Sequence, residues 1–219
     1  LGLRIPTASA VADLLVREGV ATPEVALEAA RAAQSHIGLA RALARDPQMR
    51  ERRRAIITAP ASVRSVGEAV MAADRLLETA KAQADAQVSE RNAREKAELM
   101  RQLGMDEGES ATKASRTMIR QLEEDQKRRS KRALTDAIDR ALIDLLAIYR
   151  DVLMVQVGGD GELINTDLSD LVHEIAQDST PRQTLARVDH IETARKRLVS
   201  NGNPLLVLED MAISLRPQA

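Results

Sequence analysis

The sequence predicts an all-α fold, and three observations carry that prediction. Its 219 residues include no Trp, no Phe and a single Tyr, whereas β-sandwiches and barrels lean on aromatic and β-branched side chains. Apolar residues recur at alternating steps of three and four, the spacing of one helix face. Residues that cap helices stand before Pro at several points, and Gly follows several apolar stretches. With 44% hydrophobic residues and almost no rings, the core is one of Leu, Ile, Val, Ala and Met.

The elements follow in order. Thr7 or Ser9 caps a first helix carrying Val11, Leu14 and Leu15, which Gly19 stops. Thr22-Pro23-Glu24 starts a second, with Val25, Leu27, Ala30 and Ala33, broken at Ser35-His36. A third runs from about Ile37 to Asp46, and Pro47 opens a fourth that ends at Ala59-Pro60. From Ser62 to Leu103 the spacing predicts one long helix, its stripe formed by Val63, Val66, Val70, Ala73, Leu77, Ala80 and Ala84. The stripe lapses from Gln87 to Glu95 and resumes at Leu99 and Leu103.

Residues 104–115 read as a turn, and the following helix mirrors the one before. Met118 and Leu122 come first, then a polar stretch from Glu123 to Arg132, then Leu134, Ile138, Leu142, Leu145, Tyr149 and Val152. Folding one arm back on the other sets Leu99 opposite Leu122 and Leu103 opposite Met118. The prediction is a long antiparallel helical hairpin at about 62–156, with arms of about 60 Å and a small apolar clasp closing its tip. Tyr149 is expected to be buried with its hydroxyl hydrogen-bonded. Gly158-Gly159-Asp160-Gly161 ends the hairpin, and a short helix follows near Asp167–Gln177. Ser179-Thr180-Pro181 starts a helix running to Asn201, where Gly202 stops it. Asn203-Pro204 opens a last helix, apolar on most sides, whose burial calls for neighbours or another subunit. Leu205, Leu206, Leu208, Met211 and Leu215 are its candidate core or interface residues.

Several function classes are excluded. With no cysteine there is no disulfide or thiolate metal site. No apolar run approaches the roughly 20 residues of a membrane helix. A net charge of −1 gives no overall field toward DNA or membrane, and base-stacking modules need rings this chain lacks. Phosphate-cradling glycine loops are absent. His173-Glu174 begins a zinc-protease motif, but Gln177 stands where the second histidine belongs, and Asp170…His173 is a poor half of a di-iron pair. Ser110…Lys113 is an isolated two-residue coincidence. His36, His173 and His190 read as structural or surface residues. The basic runs Arg50, Arg52, Arg53, Arg54 and Lys127, Arg128, Arg129, Lys131, Arg132 read as solvated helix faces rather than DNA sites. No catalytic residue, metal or cofactor is expected within the chain. The opening Leu1-Gly2-Leu3-Arg4 lacks both an initiator Met and a signal-peptide core, which reads as a piece of a longer soluble, cytoplasmic protein.

Three stretches carry a family resemblance. Gly38-Leu39-Ala40-Arg41-Ala42-Leu43, opening the third of a set of small helices, resembles the segment of AAA+ lid domains that bears the sensor-2 arginine. Ile191-Glu192-Thr193-Ala194-Arg195-Lys196-Arg197-Leu198 and the turn Asn201-Gly202-Asn203-Pro204, with the apolar helix after it, resemble the close of the delta-prime family of bacterial DNA polymerase III clamp-loader subunits. Tyr149-Arg150-Asp151-Val152-Leu153 is similar to a segment of that family's collar. The resemblance implies a lid-like helical domain at 1–46 and a collar domain at 47–219, the nucleotide-binding module lying elsewhere. It implies a non-catalytic role, with delta and gamma/tau-type subunits as partners. The sliding clamp and primer–template DNA are then reached only through the complex. Under it Arg41 is either a sensor-2 residue facing a bound nucleotide or one half of a structural salt bridge. The long charged hairpin departs from the family's compact collar. Two rival readings are a free-standing coiled-coil scaffold or adaptor and a helical enzyme with a carboxylate site.

Overall fold

The computed structural model describes residues 6–104 and 113–216, and every regular element among them is helical, as the composition predicts. The helices are α1 Ala8–Arg17, α2 Pro23–Ala32, α3 Ile37–Arg45, α4 Pro47–Ser62, α5 Val66–Gln102, α6 Lys113–Gln156, α7 Ser169–Gln177, α8 Pro181–Val199 and α9 Pro204–Ser214. A 3₁₀ turn, Thr166–Leu168, precedes α7. The chain forms two compact units: one from residues up to Asp74 together with those from Ala141 onward, the other Arg75–Arg140. Both long helices contribute to both units.

In the first unit, α1 to α3 close on small side chains. Thr7, rather than Ser9, caps α1, its hydroxyl accepting from the Ala10 amide at 3.2 Å. Val11, Leu15 and Leu43 fill the space between Ala26, Ala29, Ala30 and Ala40, where alanine lets the backbones approach closely. Asp46 caps α4 through the Gln48 amide at 2.9 Å, with Pro47 at the first helical position. α4 does not stop at Pro60 but runs on to Ser62. Proline there forfeits one N–H bond, yet its own carbonyl still accepts from Val63 and the Ser62 hydroxyl donates to Ala59 at 2.9 Å.

α5 begins only at Val66, so the helix predicted from Ser62 is interrupted. Glu68 accepts from the Arg64 and Ser65 amides, and the Ser65 hydroxyl accepts from the Glu68 amide at 3.1 Å, a reciprocal capping box. The predicted stripe holds from Ala73 through Leu77 and Ala80 to Ala84 and fails only at Val66 and Val70, where Ala69 is the buried residue. Val66 is left 49% exposed, and the buried stripe is Ala69, Ala73, Leu77, Ala80, Ala84 and Val88. α6 starts earlier than expected, taking Lys113 to Ser115 from the predicted turn. Residues 105–112 of that turn, Ser110 included, lie outside the described residues. α6 buries Ile138, Leu142, Leu145, Tyr149 and Val152 as its spacing predicts.

The second unit is an antiparallel pair of helical segments. Ala84 and Val88 pack with Ala133 and Leu134, after which polar groups take over. The Gln126 amide donates to the Asn92 carbonyl at 2.9 Å, Arg129 reaches Asn92 Oδ1 at 2.7 Å and Glu95 at 2.8 Å, and Lys96 lies 3.6 Å from Glu123. These partners fix the register that the sequence pattern predicts.

Gly158, with φ +66°, ends α6. α8 opens with a capping box between Thr180 and Gln183 and stops at Val199, two residues short of its predicted end. Asn201, not Gly202, takes the left-handed conformation, φ +63°. Gly202 answers a need for space: a Cβ there would sit 2.8 Å from the Arg197 carbonyl oxygen. Asn203 then caps α9, accepting from the Leu205 amide at 3.0 Å.

Candidate functional site

Arg41 lies near the middle of α3, and its guanidinium is already engaged. Arg41 Nε donates to Glu18 Oε2 at 2.9 Å and Nη2 to Oε1 at 2.8 Å, a two-pronged pair across to the end of α1. The hydrogen bonds from Arg41 lower the Glu18 pKa below the ordinary carboxylate value. The salt-bridge geometry is therefore the one present. His36 Nδ1 caps the same helix, accepting from the Leu39 amide at 3.1 Å.

The five residues singled out on and after α9 separate by position. Leu208 is fully buried, Met211 and Leu215 nearly so. Leu205 is half-buried, and Leu206 is 61% exposed. Val207, which the sequence reading passed over, belongs to the buried set. Leu206 is thus the member of the set offered to solvent.

The arginine run of α4 is only in part the solvated face expected of it: Arg52 and Arg54 are exposed, Arg50 and Arg53 are not. Arg50 donates to the carbonyls of Leu43 and Ala44, closing the C-terminal end of α3. Arg52 pairs with Asp46 and Arg54 with Asp167. Arg53 is largely buried, its Nε donating to Asp144 at 3.0 Å and Nη2 to Asn165 Oδ1 at 2.6 Å. Each cation has a polar partner within the first unit, and Arg53 is the one drawn into its interior. In the second basic run, Arg128 pairs with Asp125 and Arg129 with Glu95.

Arg53 leads into a buried polar network that sequence reasoning missed. Asp151, fully buried, accepts from the Ile164 amide at 3.0 Å, the Asn165 amide at 2.8 Å, Asn165 Nδ2 at 2.9 Å and Arg150 Nη1 at 2.8 Å. Asn165 is equally buried. The carboxylate fixes the loop after α6 to the helix that carries it. Within Tyr149-Arg150-Asp151 the aspartate therefore has an architectural task.

Tyr149 is buried as expected, at 3% exposure. Its hydroxyl, however, makes no hydrogen bond to a described residue. The ring instead carries the Arg187 guanidinium 5.9 Å from its centroid, inside cation–π range. Burial pushes the Tyr149 pKa up to about 12, against an opposing pull from Arg187. Both border a cavity of about 220 Å³ in the first unit. Periodicity held the signal for Arg187: Thr184, Arg187, Ile191, Ala194 and Leu198 form the buried stripe of α8, with an arginine at one of its steps.

The predicted clasp side chains Leu99, Met118 and Leu122 meet at one groove, next to residues 105–112 that lie outside the described residues. The groove is about 390 Å³, bordered by Glu98 and Asp125, and Met118 is 50% exposed. Among the described residues there is no cluster of three His, Asp or Glu able to hold a metal, and no helix long and apolar enough to cross a membrane.

No protein-family model matches the sequence, and no solved structure matches it. Among curated proteins, the chain is similar to the DNA polymerase III subunit delta' of Bacillus subtilis (strain 168), with 36% identity over 72 residues. The match spans 33% of this chain and 22% of that protein's length.

Proposed function

We propose that this chain is a non-catalytic part of a clamp-loader subunit of the delta' type, making assembly contacts in the complex that places a sliding clamp on primer–template DNA. The observation that carries the reading is the 36% identity over 72 residues with a delta' subunit. In this reading residues 1–46 act as the lid and 47–219 as the collar, and the partners are delta and gamma/tau-type subunits in the cytoplasm. The clamp and DNA are met only through the complex. Arg41, tied to Glu18, holds the lid helices together rather than reporting on a nucleotide.

The test is reconstitution with purified delta and gamma/tau-type subunits on a sizing column, where the chain is expected to co-elute with them. Leu206→Asp, at an exposed site, should weaken co-elution while shifting stability by less than about 0.5 kcal/mol. Leu208→Asp should instead unfold the first unit, because it places a charge at a fully buried position. If the wild-type chain elutes alone at every subunit ratio tried, the proposal fails and the free-standing scaffold reading takes its place.

A further inference from the structure

The cavity beside Tyr149 contains a charge the protein does not match. Arg187 is 8% exposed and makes no hydrogen bond or ion pair to any described residue; its described contact is with the Tyr149 ring. A guanidinium offers five N–H donors, and leaving them unmet in a buried setting is costly. The Tyr149 hydroxyl is unpartnered at the same cavity. Buried polar groups in folded proteins are nearly always paired, so the two donors on this cavity, the Arg187 guanidinium and the Tyr149 hydroxyl, define the group that would complete them. That group is an acceptor with negative charge.

The rest of the lining narrows the choice. Glu174 and Asp178 also border the cavity, two carboxylates against one further cation, Arg64. Their charges oppose a multiply charged anion more strongly than a single one. Ile175 and Leu215 supply apolar wall, suited to a short hydrocarbon tail. A planar carboxylate matches the guanidinium fork with two parallel bonds. A space of about 220 Å³ admits such a molecule whole.

We infer that this cavity binds a small organic monocarboxylate, its carboxylate held by Arg187 and the Tyr149 hydroxyl. Because Tyr149 is the chain's one aromatic residue, its fluorescence reports on this cavity alone. The full chain is titrated with sodium propionate, with propionamide as the neutral isostere and inorganic phosphate as the multiply charged control. Propionate should give a saturable change with a midpoint in the roughly millimolar range set by so few ligand atoms, and raise the melting temperature. Propionamide should give neither, and phosphate a weaker response. Arg187→Gln should weaken propionate binding by about tenfold or more. If that variant does not fold, Tyr149→Phe keeps the ring under Arg187, and most of the propionate-dependent rise in melting temperature should disappear. No saturable change in the wild type, an equal response to propionamide, a stronger response to phosphate, or undiminished propionate effects in a folded variant would each overturn the assignment.

Discussion

A buried carboxylate at Asp151 organises more of the first unit than its size suggests. Four donors converge on it, two of them backbone amides of the loop at Ile164 and Asn165. Asp151→Ala would leave those amides and the buried Asn165 side chain without an acceptor. The expected cost is about 3–5 kcal/mol, read as a lower urea midpoint with an unchanged slope. Tyr149 makes a prediction at the opposite end of the pH scale. Its folded pKa, about 12, lies above the ordinary value of 10.0. The unfolded chain releases the proton first as pH rises, so stability is intact below pH 10 and declines from there to about 12. The loss is at most roughly 3 kcal/mol, and ultraviolet titration of the tyrosinate should show the delayed transition directly. The burial of Tyr149 was legible because it continues the stripe of Ile138, Leu142 and Leu145. The engagement of Arg53 was not, because periodicity marks a face without naming a partner. Asp144 lies 91 residues further along the chain, and an arginine among arginines reads as surface.

The helical segments of the second unit change character along their length, from alanine and valine packing to a polar seam. Glu95 sits at the centre of that seam. The hydrogen bond from Arg129, and after it that from Arg91, lowers its pKa to about 2. A carboxyl depressed in the folded state contributes above its ordinary value of 4.5 and loses that contribution as pH falls toward about 2. The melting temperature should therefore drop over this interval more steeply in the wild type than in Glu95→Gln, as followed by circular dichroism. About a third of the Glu95 side chain is exposed, so added salt should shrink the difference. Helix starts were the most legible features at this scale. Thr7, Thr22-Pro23, Asp46-Pro47, Thr180-Pro181 and Asn203-Pro204 all precede helices as predicted. The start missed, Ser65-Val66-Gly67-Glu68, carries its own signature, a hydroxyl three residues before an acid. It was hidden inside a longer run of apolar steps.

The all-α class of the whole chain followed from its missing rings, while its division into two units did not. The first unit gathers residues distant in sequence, through Arg31–Glu162, Arg53–Asp144 and Arg54–Asp167, and no local pattern announces such pairs. Replacing 75–140 with a short Gly-rich turn should therefore leave that unit folded. It should keep one cooperative thermal transition and the high Tyr149 pKa; a tyrosine titrating near its ordinary value would contradict this. The same discontinuity sets an order of assembly. During synthesis α1, α2 and α3 can close on one another at once, since their contacts are local. The arginines of α4 emerge next and find neither Asp144 nor Asp167, because the whole of Arg75–Arg140 must first leave the ribosome. Until then α4 carries a row of cations with an unfinished interior beside it. Long-range closure of this kind is the slow step of folding, and the interval before it is when a nascent chain most needs protection from aggregation.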